Sequence, residues 1–123
     1  MRNTNYTSTY LTTSGTNLAA SNATISKDNI VVIEGNYIKS VAKNQYFKGY
    51  NGDVEFNNNG TKYTISSTNG NQFTISYSSQ SWFGNTTYYL EQTSKTEVSM
   101  SSNNSGNTSW QFYVVTKEWK VVE

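Results

Sequence analysis

The chain has no cysteine, no histidine and no proline among its 123 residues. Without cysteine there can be no disulfide, no thiol nucleophile and no cysteine-held zinc. Without histidine there is no Ser-His-Asp triad and no imidazole base, and the commonest metal ligand is missing. Lack of proline removes one of the usual devices that blunt an exposed strand edge. Charge is scarce too, nine Lys plus Arg against eight Asp plus Glu, a formal +1. That balance leaves no electrostatic footprint for nucleic acid or an anionic membrane. No stretch approaches the ~18 apolar residues of a membrane helix. Behind Met1-Arg2, the residues Asn3-Thr4-Asn5-Tyr6-Thr7-Ser8 hold no apolar segment of the signal-peptide kind.

What is present is polar and aromatic. Asn, Ser and Thr each occur 17 times, and aromatics make up 15%, ten of them Tyr. Disorder goes with high net charge and few aromatics, and neither holds here. The length suits a single domain whose core draws on Tyr, Phe, Trp, Ile and Val, the strand-favouring set. Eight Lys to one Arg, many Asn and no Pro also lean as an AT-rich coding sequence leans. They point to a low-GC host or its phage. Residues 3–26, 63–90 and 98–116 carry no charge at all, so they meet water through hydroxyls and amides. Such surfaces suit neutral sugars or like subunits.

Apolar residues alternate with polar ones along most of the chain, the period of half-buried antiparallel strands. Ile30-Val31-Val32-Ile33 runs into a Glu34-Gly35-Asn36 turn and then Tyr37-Ile38. Val54 and Phe56 alternate with Asp53 and Glu55, and Tyr63 and Ile65 with Lys62, Thr64 and Ser66. Phe73, Ile75 and Tyr77 follow, then Val98 and Met100, then Trp110, Phe112 and Val114, then Trp119 and Val121. Asn-Gly or Gly-Asn pairs at 51–52, 59–60, 69–70, 84–85 and 106–107 punctuate them, as tight turns require. Residues 63–66 and 72–77 flank Thr68-Asn69-Gly70-Asn71 as one hairpin. No window shows a helical period. Residues 1–9 read as a polar N-terminal arm, able to add to a neighbour's open edge, and residues 10–123 as one all-β domain.

Tyr10-Leu11, Tyr37-Ile38, Tyr63-Thr64 and Tyr89-Leu90 recur at near-equal spacing, and each of three units runs through a similar order of apolar pairs. Residues 88–115, "YYLEQTSKTEVSMSSNNSGNTSWQFYVV", and "NYIKS" at 36–40 carry a resemblance to the β-trefoil modules of the ricin-B-like kind. The resemblance implies a three-fold barrel and non-catalytic carbohydrate binding in shallow pockets. Trp110-Gln111-Phe112 stands where those repeats carry Gln-x-Trp, residues 66–87 hold an additional hairpin, and no individual sugar-contact residue transfers. The expected architecture is a β-trefoil-like barrel, with an antiparallel meander barrel or a β-sandwich as alternatives.

Three constellations carry possible chemistry. Asp53 and Glu55, two apart on one strand face, fall within the ~5–9 Å that glycoside hydrolysis needs between two carboxyls. They also fit solvent-facing charges opposite Val54 and Phe56, and no catalytic role is expected. Lys39, Lys43 and Lys48 interleave with Tyr37, Tyr46, Phe47 and Tyr50, as in single-strand nucleic-acid grooves, but with too few cations for that use. The third is Ser81-Trp82-Phe83-Gly84-Asn85, two large rings beside a glycine in an uncharged loop, with Tyr50 before Asn51-Gly52 of similar character. Exposed rings stack on sugar faces while amides bond the hydroxyls. The same rings could instead plug the core. The expected protein is a non-enzymatic module binding a neutral glycan or cell-surface polysaccharide through Trp82, Phe83, Asn85 and Tyr50, without cofactor, metal, nucleic acid or membrane. The alternative is a structural subunit of an extracellular or virion assembly, such as a phage decoration or tail protein, joined by strand edges and the N-terminal arm. Either reading places it outside cells or on a virion surface.

Overall fold

A computed structural model describes every residue except 23, 103–105, 116–120 and 123. The first strands are β1 (Arg2–Asn3), β2 (Tyr10–Thr12), β3 (Ala19–Ser21), β4 (Val31–Glu34) and β5 (Tyr37–Ser40). Then come β6 (Gln45–Lys48), β7 (Glu55–Asn57), β8 (Thr64–Asn69), β9 (Gln72–Ser81) and β10 (Gly84–Gln92). The chain continues with β11 (Val98–Ser101), β12 (Trp110–Gln111), β13 (Val114–Val115) and β14 (Val121–Val122). One 3-10 turn, Lys27–Asn29, is capped by Ser26, and there is no α-helix among the described residues.

Among the described residues all strand pairing is antiparallel. The largest sheet runs β1-β12-β9-β10-β11, with β8 on the opposite edge of β9; a second runs β4-β5-β6-β7, and β2-β3 and β13-β14 form small ribbons. The hairpin expected around Asn69-Gly70 is β8–β9, and residues 66–87 lie mostly within the largest sheet. The all-β expectation holds. Closure into a barrel, expected for both the trefoil-like and meander readings, is not seen: the sheets remain separate and meet through isolated bridges. Gly52 and Met100 exchange two backbone hydrogen bonds of 2.9 and 2.8 Å, and the Leu18 amide donates to the Val54 carbonyl at 2.8 Å.

Alternation explains which side chains turn inward. On β9 and β10, Ile75 and Leu90 are buried and Tyr77 and Tyr88 pack against the core, while Thr74, Ser76 and Ser78 lie on the other face. Trp110 is 0% exposed and its indole Nε1 donates to the Leu90 carbonyl at 2.9 Å. Phe112 packs edge-on to Phe73 at 5.2 Å, whereas Trp119, expected in the core, lies outside the described residues.

With aliphatic side chains scarce, polar ones enter the core and must find partners. Gln92 donates to Thr9 Oγ1 at 3.0 Å and the Lys95 carbonyl at 3.2 Å, and Ser40 donates to Thr13 Oγ1 at 2.8 Å. Asn3, wholly buried, donates to the Asn107 carbonyl at 2.7 Å. It lies in the segment expected as an arm. There Arg2–Asn3 pairs with Trp110 and Gln111 of the same chain. The Arg2 guanidinium sits over the rings of Tyr10 and Tyr113 and donates to the Tyr113 hydroxyl at 2.6 Å.

Tyr63 is buried, and its phenol donates to the Gly49 carbonyl at 2.5 Å. Burial raises its pKa above the ordinary 10.0, so the folded state favours the protonated phenol. The stabilisation is full below the ordinary value and is lost as pH rises toward the folded one, because the unfolded chain ionises first. Tyr63→Phe should lower stability at pH 7 by about 1 kcal/mol through the lost hydrogen bond. Urea unfolding at stepped pH should show that deficit shrinking above pH 10, by up to about 1.4 kcal/mol per unit. A deficit independent of pH would contradict the assignment.

Candidate functional site

Strands β9 and β10 are the longest in the protein and outrun the core that supports them. They pair from Tyr89 opposite Ser76 to Gly84 opposite Ser81, leaving Trp82 and Phe83 as the turn. Tight turns in hairpins usually need a residue at positive φ, which large rings resist. Here neither aromatic residue adopts it: Gly84 does, at φ 119°. Gly84 therefore lets two bulky rings occupy the tip. Ser81 closes the turn, donating to the Gly84 carbonyl at 3.0 Å and accepting from the Phe83 amide at 3.3 Å. Ser78 and Thr87 hydroxyls meet across the hairpin at 3.0 Å.

Trp82 and Phe83 are wholly exposed, so they do not plug the core. One pair back from Ser81 and Gly84, Asn85 lies directly opposite Gln80, so the two exposed side chains share a face. Neither amide is hydrogen-bonded within the described residues. The hairpin end thus offers two apolar rings and two free amides, with no charged residue between positions 63 and 90.

Tyr50 is elsewhere. It is 40% exposed, stacks on Tyr77 with ring centres 4.3 Å apart and meets Tyr88 edge to face at 5.8 Å. Tyr77 and Tyr88 are cross-strand partners at the hairpin root. From Tyr77 to Trp82 is five residues, about 17 Å at the rise of an antiparallel strand. The structure therefore brings Trp82, Phe83 and Asn85 together and leaves Tyr50 as a brace for the hairpin root.

Asp53 and Glu55 are exposed opposite the buried Val54 and the partly buried Phe56. Asp53 accepts from the Asn17 amide at 3.3 Å, and Glu55 borders an open polar cleft with Thr16, Asn17, Lys43, Gln45 and Phe56. Of the three lysines, Lys39 places Nζ 5.4 Å from the Tyr46 ring centre, Lys43 places Nζ 5.3 Å from that of Phe56, and Lys48 stands opposite Glu55 in the register of β6 and β7. Among the described residues no three acidic side chains gather as a metal cluster, and no helix is long and apolar enough to cross a membrane.

One arrangement lies outside the expected site residues. Register puts Tyr46 opposite both Lys39 and Asn57, so the solvent face of the β4–β7 sheet gathers Tyr37, Lys39 and Tyr46 beside the Asn58-Asn59-Gly60 loop. In the sequence these residues span 24 positions, and only strand register unites them. Comparison with protein-family models, curated proteins and solved structures returned no match.

Trp82→Ala and Phe83→Ala should each change stability by no more than about 0.5 kcal/mol, as exposed positions do. Trp82→Phe should also remove the most quenchable part of the tryptophan emission when acrylamide is added. Unchanged quenching would show that Trp82 is sheltered.

Proposed function

We propose that this protein is a non-enzymatic binding module that holds neutral glycan surfaces through the end of the β9–β10 hairpin. The observation that carries the reading is the full exposure of Trp82 and Phe83 on a projecting, uncharged hairpin. Leaving two large rings in water forgoes burial of roughly 1.5–3 kcal/mol for an aromatic side chain, which suits rings that a ligand covers. Stacking satisfies the rings, and the Gln80 and Asn85 amides supply hydrogen bonds to hydroxyls. A β-sandwich-like packing of the sheets is the architecture we attach to this reading. The absence of cations on this hairpin argues against an anionic lipid surface as the target.

A platform of two rings without an enclosing pocket implies modest affinity, a Kd on the order of 0.1–1 mM per site. Tryptophan fluorescence should therefore saturate in that range with a soluble neutral polysaccharide or a cell-wall fragment, and Trp82→Ala should abolish the change. A flat response with every glycan, or equal binding to neutral phospholipid vesicles alone, would overturn the reading.

A second reading has its own observation. Strand β4 is an edge of its sheet and exposes Val32 and Ile33, 43% and 41%. Such an edge favours pairing with another copy, as a subunit of an assembly requires. Val32→Lys should then lower the apparent mass in sedimentation equilibrium; a wild-type monomer at high concentration would end this reading.

A further inference from the structure

The corner formed by Tyr37, Tyr46 and the Asn58-Asn59-Gly60 loop is a second place where ligand chemistry gathers. Tyr37 and Tyr46 meet edge to face, ring centres 5.9 Å apart and planes at 68°. Together with Asn58, Asn59 and Gly60 they border a shallow cleft of about 300 Å³. That volume is at the small end for ligand sites and suits one sugar ring better than a larger molecule.

Three features make the corner more than a chance dimple. First, Gly60 lies so close to Tyr46 that an added Cβ would fall 2.6 Å from the Tyr46 Cβ and 3.2 Å from Tyr37 Cδ1. Only glycine lets the loop lie against both rings. Second, the Asn58 and Asn59 side-chain amides hydrogen-bond to no described residue, while the Asn59 backbone amide is held by Asn57 Oδ1 at 2.9 Å. The loop is thus fixed by its backbone and offers its side chains. Third, Tyr46 is anchored, its hydroxyl donating to Glu34 Oε2 at 2.6 Å with Lys39 above its ring. One carboxylate and one ammonium flank the corner, so its local charge cancels. A neutral, hydroxyl-rich ring with one apolar face matches two aromatic walls, two free amides and no net charge.

We propose that this corner is a separate subsite for a single neutral pyranose unit, stacked on Tyr37 or Tyr46 and hydrogen-bonded by Asn58 and Asn59. The choice of ligand class rests on the glycan-binding reading, but the site shares no residue with the hairpin tip.

The test is isothermal titration of the intact protein and its variants with short neutral oligosaccharides, with adenosine as a separate probe. Wild type should bind at two sites. Trp82→Ala should keep one of them, and adding Tyr37→Ala to that variant should weaken the residual binding at least about ten-fold. Gly60→Val, which removes no ring or amide but drives the loop that carries Asn58 and Asn59 off Tyr46, should do the same, with circular dichroism showing an unchanged fold. Complete loss of binding in Trp82→Ala would overturn the subsite and leave the hairpin platform standing. Binding that survives Trp82→Ala but not Tyr37→Ala supports the subsite even if the tip proves silent. Wild type binding adenosine and no oligosaccharide would overturn the sugar assignment, and no binding of any probe would overturn both readings.

Discussion

The buried indole of Trp110, hydrogen-bonded through Nε1 to the Leu90 carbonyl, is the contact on which the largest sheet depends. It comes from a strand of two residues, β12, which pairs with β9 on one side and with β1 on the other. So short a ladder supplies little by itself. The large ring, buried against β10, is what seats β12 and with it the N-terminal strand. It also fixes the inner halves of β9 and β10, the base from which the hairpin projects. In a chain short of Leu, Ile and Val, one tryptophan does what several aliphatic residues do elsewhere, and buried Asn3, Gln92 and Ser40 fill the remaining space with their bonds satisfied.

The projecting end of the hairpin follows from that base. A two-stranded ribbon is marginal alone in water, so residues 78–87 hold their form because β8 and β12 flank the root and Tyr50 stacks against Tyr77. Hydroxyl pairing and the Ser81–Gly84 closure finish the ribbon without a charged group. The tip therefore presents two rings yet adds nothing to the core. Large apolar surface exposed away from the core is the feature to which our proposal assigns ligand contact.

Much of the fold was legible in the alternation of single residues. Val54 and Phe56 against Asp53 and Glu55, or Ile75 against Thr74 and Ser76, declare their faces without a structure, and Asn69-Gly70 declares its turn. The exposure of Trp82 and Phe83 was not legible, because two rings beside a glycine suit a plug as well as a tip; the decision lies in Gly84 taking the positive φ and in strands that outrun the core. Tyr50 resembled the tip in local sequence but sits at the root, since a loop's neighbours are set by tertiary packing. The Tyr37–Tyr46 corner was hidden for a related reason. Its residues lie on two strands and a loop, and a one-residue slip in register would have moved Tyr46 to the other face. The pairing of Arg2–Asn3 with β12 was hidden because a two-residue strand carries no periodicity to read.

The central claim is that ligand is met by the end of the β9–β10 hairpin rather than by the polar cleft at Glu55. Backbone and side-chain amide NMR spectra of the protein, recorded as a neutral oligosaccharide is added, test it most directly. The account predicts shifts centred on the Trp82 indole, the Phe83 amide and the Gln80 and Asn85 side-chain amides, with a second group at Asn58 and Asn59. Shifts centred instead on Asn17, Gln45 and Glu55, with the hairpin unmoved, would contradict it.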